Sequence, residues 1–171
     1  MTRGHGWRFL DIGRRLERAF LTLKLIKNLF KEKSADEKQI LTSFLEVCDG
    51  SLTYFRRYGA KLHAAPVIDL LLCDESNPHS VAYQASMMEK TINELPQATD
   101  KVFFSQLDKE VLKLVSQLRL VDVYNLTKCD DNKRETLVKY CDARIKEIEN
   151  IDELLNREYL IHIRQKGVKS A

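Results

Sequence analysis

The fold is decided by residues 6–32, GWRFLDIGRRLERAFLTLKLIKNLFKE, in which apolar residues recur every three or four positions. Because an α-helix turns once in about 3.6 residues, this spacing places one side of a helix against a core. The residues that share this inner side are Phe9, Ile12, Leu16, Ala19, Phe20, Leu23, Ile26 and Phe30. We therefore expect a long first helix over about residues 6–32.

The same period continues along the chain and predicts five further helices, over about residues 34–59, 66–72, 77–95, 100–124 and 130–164. In the second, the residues expected to point inward are Ile40, Phe44, Val47, Leu52 and Phe55. Gly59 is the expected end of that helix, and Asn77 or Ser76 the expected cap of the fourth. The last helix either belongs to the bundle or forms a coiled-coil tail, and we expect the former. No strand-like alternation is evident, so the fold class is all-α, an up-and-down bundle of about five to six helices with a long C-terminal helix.

Composition supports this class and excludes others. The chain has 171 residues, about the length of one domain, with 44% apolar and 31% charged residues, which excludes disorder. Its 6 glycines and 3 prolines are too few for the turns of a sandwich or barrel. A net charge of +3 is too small to indicate nucleic acid as a partner.

Segments for secretion, membrane insertion and metal binding are missing. The start lacks the layout of a signal peptide, and the longest apolar run, residues 67–73, is far shorter than a membrane span. The four cysteines and four histidines show no metal-binding spacing, and no glycine-rich phosphate loop is present. We therefore expect a cytoplasmic protein with reduced thiols, no metal, no cofactor, and no membrane or nucleic-acid partner. A catalytic Cys–His pair assembled by folding stays open, although nothing local marks an activated cysteine.

A charged trio stands out on the first helix. Arg14, Glu17 and Arg18 are spaced i, i+3 and i+4, so they share one ridge, opposite the inner side. Apolar residues flank this ridge, which indicates that the charges are at least partly desolvated: Trp7, Leu10, Leu21 and Leu25. Three interpretations remain open, namely a structural ion-pair network, a site for an anionic ligand or partner, and plain exposed surface.

Two further segments combine polar groups. Residues 73–80, CDESNPHS, place Asp74, Asn77 and Ser80 at a helix start, where backbone N–H groups either hold an anion or are capped by these side chains. Residues 54–59, YFRRYG, mix aromatic residues with arginines at a helix end. This pattern also serves for stacking nucleic-acid bases, but cations are favoured at helix ends in any case.

Together these segments resemble the bacterial alpha-E domain family, an all-helical family named for a Glu-Arg motif. Residues 13–19, GRRLERA, are similar to its Gly-Arg-x-x-Glu-Arg-Ala signature, and residues 74–81, DESNPHSV, to its Asp-x-x-Asn-Pro-x-Ser-Val/Ile turn. Residues 54–58, YFRRY, look like the tyrosine-arginine segment that lies between the two in the family.

The resemblance implies a domain organisation and a partner. The resemblance implies a unit that family members carry twice, so residues 1–171 are expected to be a single alpha-E-like helical domain, the second half of a longer one. The family occurs with ATP-grasp-type ligases and transglutaminase-like proteins, in systems thought to make or modify peptides. The sequence thus predicts a partner-binding module, with Arg14, Glu17, Arg18, Asp74, Asn77 and Ser80 as candidate binding residues. The alternatives are a peptide-modifying enzyme with a site between the Glu-Arg helix and the Asn-Pro turn, and a self-associating bundle that pairs as a homodimer.

Overall fold

A computed structural model of the chain describes residues 4–95 and 104–160. In these ranges it shows eight α-helices and no strand. They are α1 (His5–Phe30), α2 (Glu37–Val47), α3 (Ser51–Tyr58), α4 (Ala64–Leu72), α5 (Val81–Asn93), α6 (Gln106–Leu120), α7 (Val123–Leu126) and α8 (Glu135–Leu155), and a π-helical turn, Asn156–Leu160, follows α8. The predicted all-α class and the long last helix are confirmed.

Four helices form the body of the bundle. Helix α1 packs against α5 and α8, and α6 completes the ring by packing against the same two. The ring buries the inner side of α1, including Ile12, Leu23 and Ile26. Helix α4 is short and strongly apolar, and it contacts α1, α2, α3, α5 and α7, which closes one end of the core. Within residues 4–95 and 104–160, no helix combines the length and apolar character that crossing a bilayer requires.

The second predicted helix is two helices. The chain leaves the helical conformation at Asp49, whose φ of 49° is left-handed, and α3 starts after Gly50. A side chain at Gly50 would come within 3.3 Å of Leu45, so the tight turn suits glycine. The expectation that Val47, Leu52 and Phe55 point inward is wrong, since all three are exposed. The break changes the helical phase for Leu52 and Phe55, whereas Val47 is the last residue of α2. Gly59 ends α3 with a φ of 77°, as predicted.

The fourth and fifth predicted helices also start or end elsewhere. Helix α5 begins at Val81 and is capped by Ser80, whose hydroxyl accepts a hydrogen bond from the Tyr83 N–H at 3.0 Å, so the cap is neither Asn77 nor Ser76. The fifth is interrupted at Val121, which is extended and separates α6 from α7. The predictions for residues 100–103 and 161–164 lie outside the described residues.

Candidate functional site

One side of α1 faces away from the bundle. We call it the outer face, and its members are Trp7, Leu10, Arg14, Glu17, Arg18, Leu21, Leu25 and Leu29, every one of them exposed. Leu10 keeps 66% and Leu21 50% of its surface exposed, far more than a core leucine. The expectation that the charged trio is partly desolvated holds for Arg14, whose side chain is 49% exposed and paired with Asp11, whereas Glu17 and Arg18 are exposed.

A partly buried ion-pair network does exist on α1, and it is centred on Asp11, with Arg14 as the one member of the trio that takes part. Asp11 is 5% exposed and accepts a hydrogen bond from the Arg15 Nε at 2.7 Å. Thr91 of α5 and Arg14 each lie 3.4 Å from the same carboxylate. This network fixes α1 against α5, the structural role that we had considered for the trio. The sequence feature that indicates this network is an acid four residues before an arginine, next to the inner apolar side of α1.

The network continues to the Asn-Pro turn. Arg15 donates to the Gln84 Oε1 at 3.3 Å, and the Gln84 amide nitrogen donates to the carbonyl of Pro78. A continuous polar chain thus joins Asp11 of α1 to the turn before α5. The sequence analysis predicted no role for Arg15 or Gln84. For Gln84 the reason is that a glutamine within a helix has no distinctive spacing.

The three residues of the charged trio differ in their bonding. Arg14 reaches Asp11 only at 3.4 Å, and its side chain is 49% exposed. Within residues 4–95 and 104–160, Glu17 and Arg18 take part in no hydrogen bond or ion pair, and both are exposed. Over the same ranges, none of the three is bonded to Asp74, Asn77 or Ser80. The candidate binding residues of the two signature segments therefore do not form one cluster, and the link between the segments runs through Arg15 and Gln84.

The polar groups of the Asn-Pro turn are engaged inside the protein. Asn77 is buried, donates to the carbonyl of Leu70 at 2.9 Å and accepts from the His79 N–H at 3.1 Å. Ser80 donates to the carbonyl of Asp74 at 2.6 Å while it caps α5. Asn77 and Ser80 thus hold the loop in shape, which favours the capping interpretation over an anion site.

The side chain of Asp74 is held by nearby residues of the same chain. Its carboxylate accepts from the Arg57 guanidinium at 2.6 Å and from the backbone N–H and hydroxyl of Ser76 at 2.9 and 2.7 Å. Burial alone would raise its pKa, but the bonds from Ser76 and Arg57 outweigh burial and lower the pKa below the ordinary value. Asp74 is therefore an ionised anchor for the segment at residues 54–58. In that segment, Tyr58 donates to Asp69 at 2.8 Å, which indicates a structural role as well.

Three of the four thiols are at least partly buried, and Cys129 is exposed. Burial raises the pKa of Cys48 to about 11 and those of Cys73 and Cys141 to about 12, so these thiols are protonated near neutral pH. In residues 4–95 and 104–160, no group of three His, Cys, Asp or Glu side chains could hold a metal ion.

Two open grooves border the outer face. One, of about 460 Å³, lies between α1 and α2 and is mostly apolar; it is lined by Leu25, Leu29, Gln39, Ile40, Ser43, Phe44 and Val47. The other, of about 450 Å³, lies between α1 and α8 and has Glu17 at its edge with three acids of α8, namely Glu149, Asp152 and Glu153. The α1–α2 groove was not predicted, because it depends on how α2 is placed beside α1.

The fold and the outer face define a class of protein, an all-helical domain that presents a Glu-Arg step on an uncovered helix face. A family model named Alpha-E, described as a predicted alpha-helical domain with a conserved ER motif, matches residues 1–160. The chain belongs to this Alpha-E family. Its sequence contains a single Glu-Arg dipeptide, Glu17-Arg18, so the motif of the family lies at the middle of the outer face.

Curated relatives are themselves uncharacterised. The chain is 33% identical over 93 residues to an uncharacterised protein of Mycobacterium tuberculosis and to one of Mycobacterium bovis. Each match covers 53% of this chain and 10% of the relative's length. No solved structure matches the chain.

Proposed function

We propose that this Alpha-E domain is a non-catalytic docking module, and that the outer face of α1 is the surface through which it binds another protein. The single observation that carries the proposal is the state of Glu17 and Arg18. Both are exposed, and neither is paired with another side chain within residues 4–95 and 104–160. A motif that stabilised the domain itself would resemble Asp11, which is buried, and Arg15, which is largely buried and bonded to it.

The surroundings of the motif suit a binding surface. Protein interfaces are rich in tryptophan and arginine, and their energy concentrates in a few such residues within an apolar patch. The outer face offers Trp7, Arg14 and Arg18 among exposed leucines. Glu17 and Arg18 supply charges of both signs, which favour one orientation of a partner over others.

The partner that we propose is an ATP-grasp-type ligase or a transglutaminase-like protein of a bacterial, cytoplasmic peptide-ligation or peptide-modification system. This choice rests on the family resemblance. In this proposal the domain holds or orients its partner, and the chemistry belongs to the partner.

An enzyme with a site between the Glu-Arg helix and the Asn-Pro turn has less support. Such a site needs an acid or base near both segments, but Asp74 is tied to Arg57 and Ser76, and Glu17 lies on the opposite, open side of α1. Asn77 and Ser80 are also bonded within their own turn.

Affinity capture from a lysate of the source organism tests the proposal. The wild type is compared with the double variant Glu17→Ala/Arg18→Ala and with Lys109→Ala, which removes an exposed charge of α6 far from the outer face along the chain. We expect the wild type and Lys109→Ala to retain a ligase or transglutaminase-like protein, and the double variant to lose it. Equal retention by all three proteins would contradict docking through the outer face.

A further inference from the structure

The groove between α1 and α8 combines an apolar floor with a rim of acids, and we call it the acidic groove. On each helix its lining residues recur three or four positions apart, so each helix presents one ridge to it. Leu16 and Ile148 are buried and Phe20 is half-buried, whereas the acids are exposed. The groove has a volume of about 450 Å³ and is lined by Gly13, Leu16, Glu17, Phe20, Ile148, Glu149, Asp152 and Glu153.

The acids of the groove are not paired with a cation in the part of the chain that the structure describes. There, Glu17, Glu149 and Glu153 take part in no hydrogen bond or ion pair, and Asp152 accepts a hydrogen bond from the Asn156 amide at 3.3 Å. Glu149 and Glu153 also lie four residues apart on α8, where two like charges destabilise a helix. No ion pair within the described fold compensates for this repulsion.

Gly13 provides an independent observation, because it keeps the groove open at a cost to α1. It lies in the interior of that helix, where glycine is less favourable than alanine since it loses more conformational freedom on folding. Packing does not require a glycine here, because a Cβ at residue 13 would meet no heavy atom within 4 Å beyond the local backbone. A side chain at this position would instead take up space in the groove that Gly13 lines.

The groove suits the side chain of a lysine or an arginine. Such side chains lay an apolar stem along an apolar surface and keep the charged end with acids or water. Lys24 shows the same behaviour one turn beyond Phe20, because its ammonium nitrogen lies 4.2 Å from the centre of the Phe20 ring. One ammonium beside four carboxylates leaves three negative charges without a counterpart. The charge complement of the groove is therefore strongly basic.

We propose that the acidic groove binds a basic segment of the partner protein, with lysine or arginine stems on its apolar floor and their charges at the carboxylates of Glu17, Glu149 and Glu153. The inference rests on the proposed function in taking this domain as a docking module. It adds the chemistry of the partner's contact segment and extends the docking surface from α1 onto α8. Glu17 belongs to both the outer face and the groove, which gives the acid of the Glu-Arg motif a contact of its own.

Fluorescence anisotropy with a short labelled peptide of alternating lysine and alanine tests the role of charge. The full chain should bind this peptide, and Glu149→Gln/Glu153→Gln should weaken binding at least about tenfold, since two of the four attracting charges are lost. The matched control is Asp36→Asn/Glu46→Gln, which removes two exposed acids that do not line the groove and should bind as the wild type does. The same peptide with diaminopropionate at each lysine keeps the charge, but its shorter stems should bind more weakly.

Gly13→Leu tests the shape of the groove without a change of charge. A leucine at residue 13 fills part of the groove and should weaken binding of the lysine peptide at least about tenfold. Urea unfolding of Gly13→Ala should show no loss of stability, because the position has room for a side chain. A loss of stability in Gly13→Ala would show that the fold itself needs this glycine and would contradict the argument from the open groove.

Equal affinity of the wild type and Glu149→Gln/Glu153→Gln for the lysine peptide would overturn the inference, as would free spermidine that binds as tightly as the peptide. A failure of the proposed function gives different results in the capture experiment. A ligase that Glu17→Ala/Arg18→Ala loses and Glu149→Gln/Glu153→Gln retains refutes only the groove. Peptide binding in the groove without capture of a ligase or transglutaminase-like protein refutes only that choice of partner.

Discussion

At the scale of single residues, two acid–arginine pairs on α1 differ in burial and in pairing. Asp11 is buried and bonded to Arg15, which is largely buried and reaches Gln84 of α5, whereas Glu17 and Arg18 lie exposed on the outer face. Glu17 follows Arg15 by two residues, so its side chain leaves α1 about 200° away from that of Arg15. The same residue types therefore stabilise the bundle at one position and remain available to a partner at the other.

The buried pair is expected to matter for stability. Asp11→Ala leaves the Arg15 guanidinium, whose side chain is 15% exposed, without its main partner, and should lower the free energy of unfolding by about 3 kcal/mol. Arg14→Ala removes a half-exposed, more distant arginine from the same carboxylate and should cost less than about 1 kcal/mol. Urea unfolding of both variants measures the difference, and equal losses would show that the network does not fix α1.

Asp74 gives a prediction about pH. Its folded pKa is lowered, so its contribution to stability is complete above its ordinary pKa of about 4 and is lost as the pH falls through the folded value. Asp74→Asn should therefore lose about 1–3 kcal/mol at neutral pH and should lose less stability than the wild type on further acidification. Urea unfolding between about pH 7 and 3 tests this. The exposed Asp131→Asn serves as the control, and a wild-type slope in Asp74→Asn would contradict the assignment.

At the scale of elements, the start of α5 depends on Ser80. The Ser80 hydroxyl caps the first turn and also bonds the carbonyl of Asp74, so Ser80→Ala should lower the free energy of unfolding by about 1–2 kcal/mol. Ser51→Ala, at the start of α3, is the matched control, because no cap bond is formed at that helix start. Similar losses in both variants would show that the cap of α5 contributes nothing particular.

Long helices could be predicted from the sequence, and their interruptions could not. Helices α1 and α8 carry apolar residues at helical spacing over many turns, and both exist as that spacing predicts, although α8 starts at Glu135 and not near residue 130. The separation of α2 from α3 depends on the left-handed conformation of Asp49. Helical spacing of apolar residues is present both before and after Asp49, so the break is not visible in the sequence. The position of the Glu-Arg motif on α1 could be predicted, but its exposure could not, because one sequence does not tell which helix covers which side of α1.

At the scale of the whole molecule, the domain is a bundle with one of its principal helices covered on only one side. If a second copy covers the other side, the melting temperature of the wild type should rise with protein concentration, since association stabilises the folded state by mass action. Leu10→Glu, which places a charge among the exposed leucines of the outer face, should melt at a temperature that does not depend on concentration. Calorimetry over a hundredfold range of concentration distinguishes the two, and a wild type without concentration dependence would speak against association.

The central claim is that Glu17 and Arg18 act outside the domain and not within it. The measurement that tests it most directly is the free energy of unfolding of Glu17→Ala/Arg18→Ala, at a protein concentration at which the chain is monomeric. The account predicts a value within about 0.5 kcal/mol of the wild type, because no described contact is lost. A loss of about 2 kcal/mol or more, similar to that of Asp11→Ala, would show that the motif stabilises the domain itself and would contradict the claim.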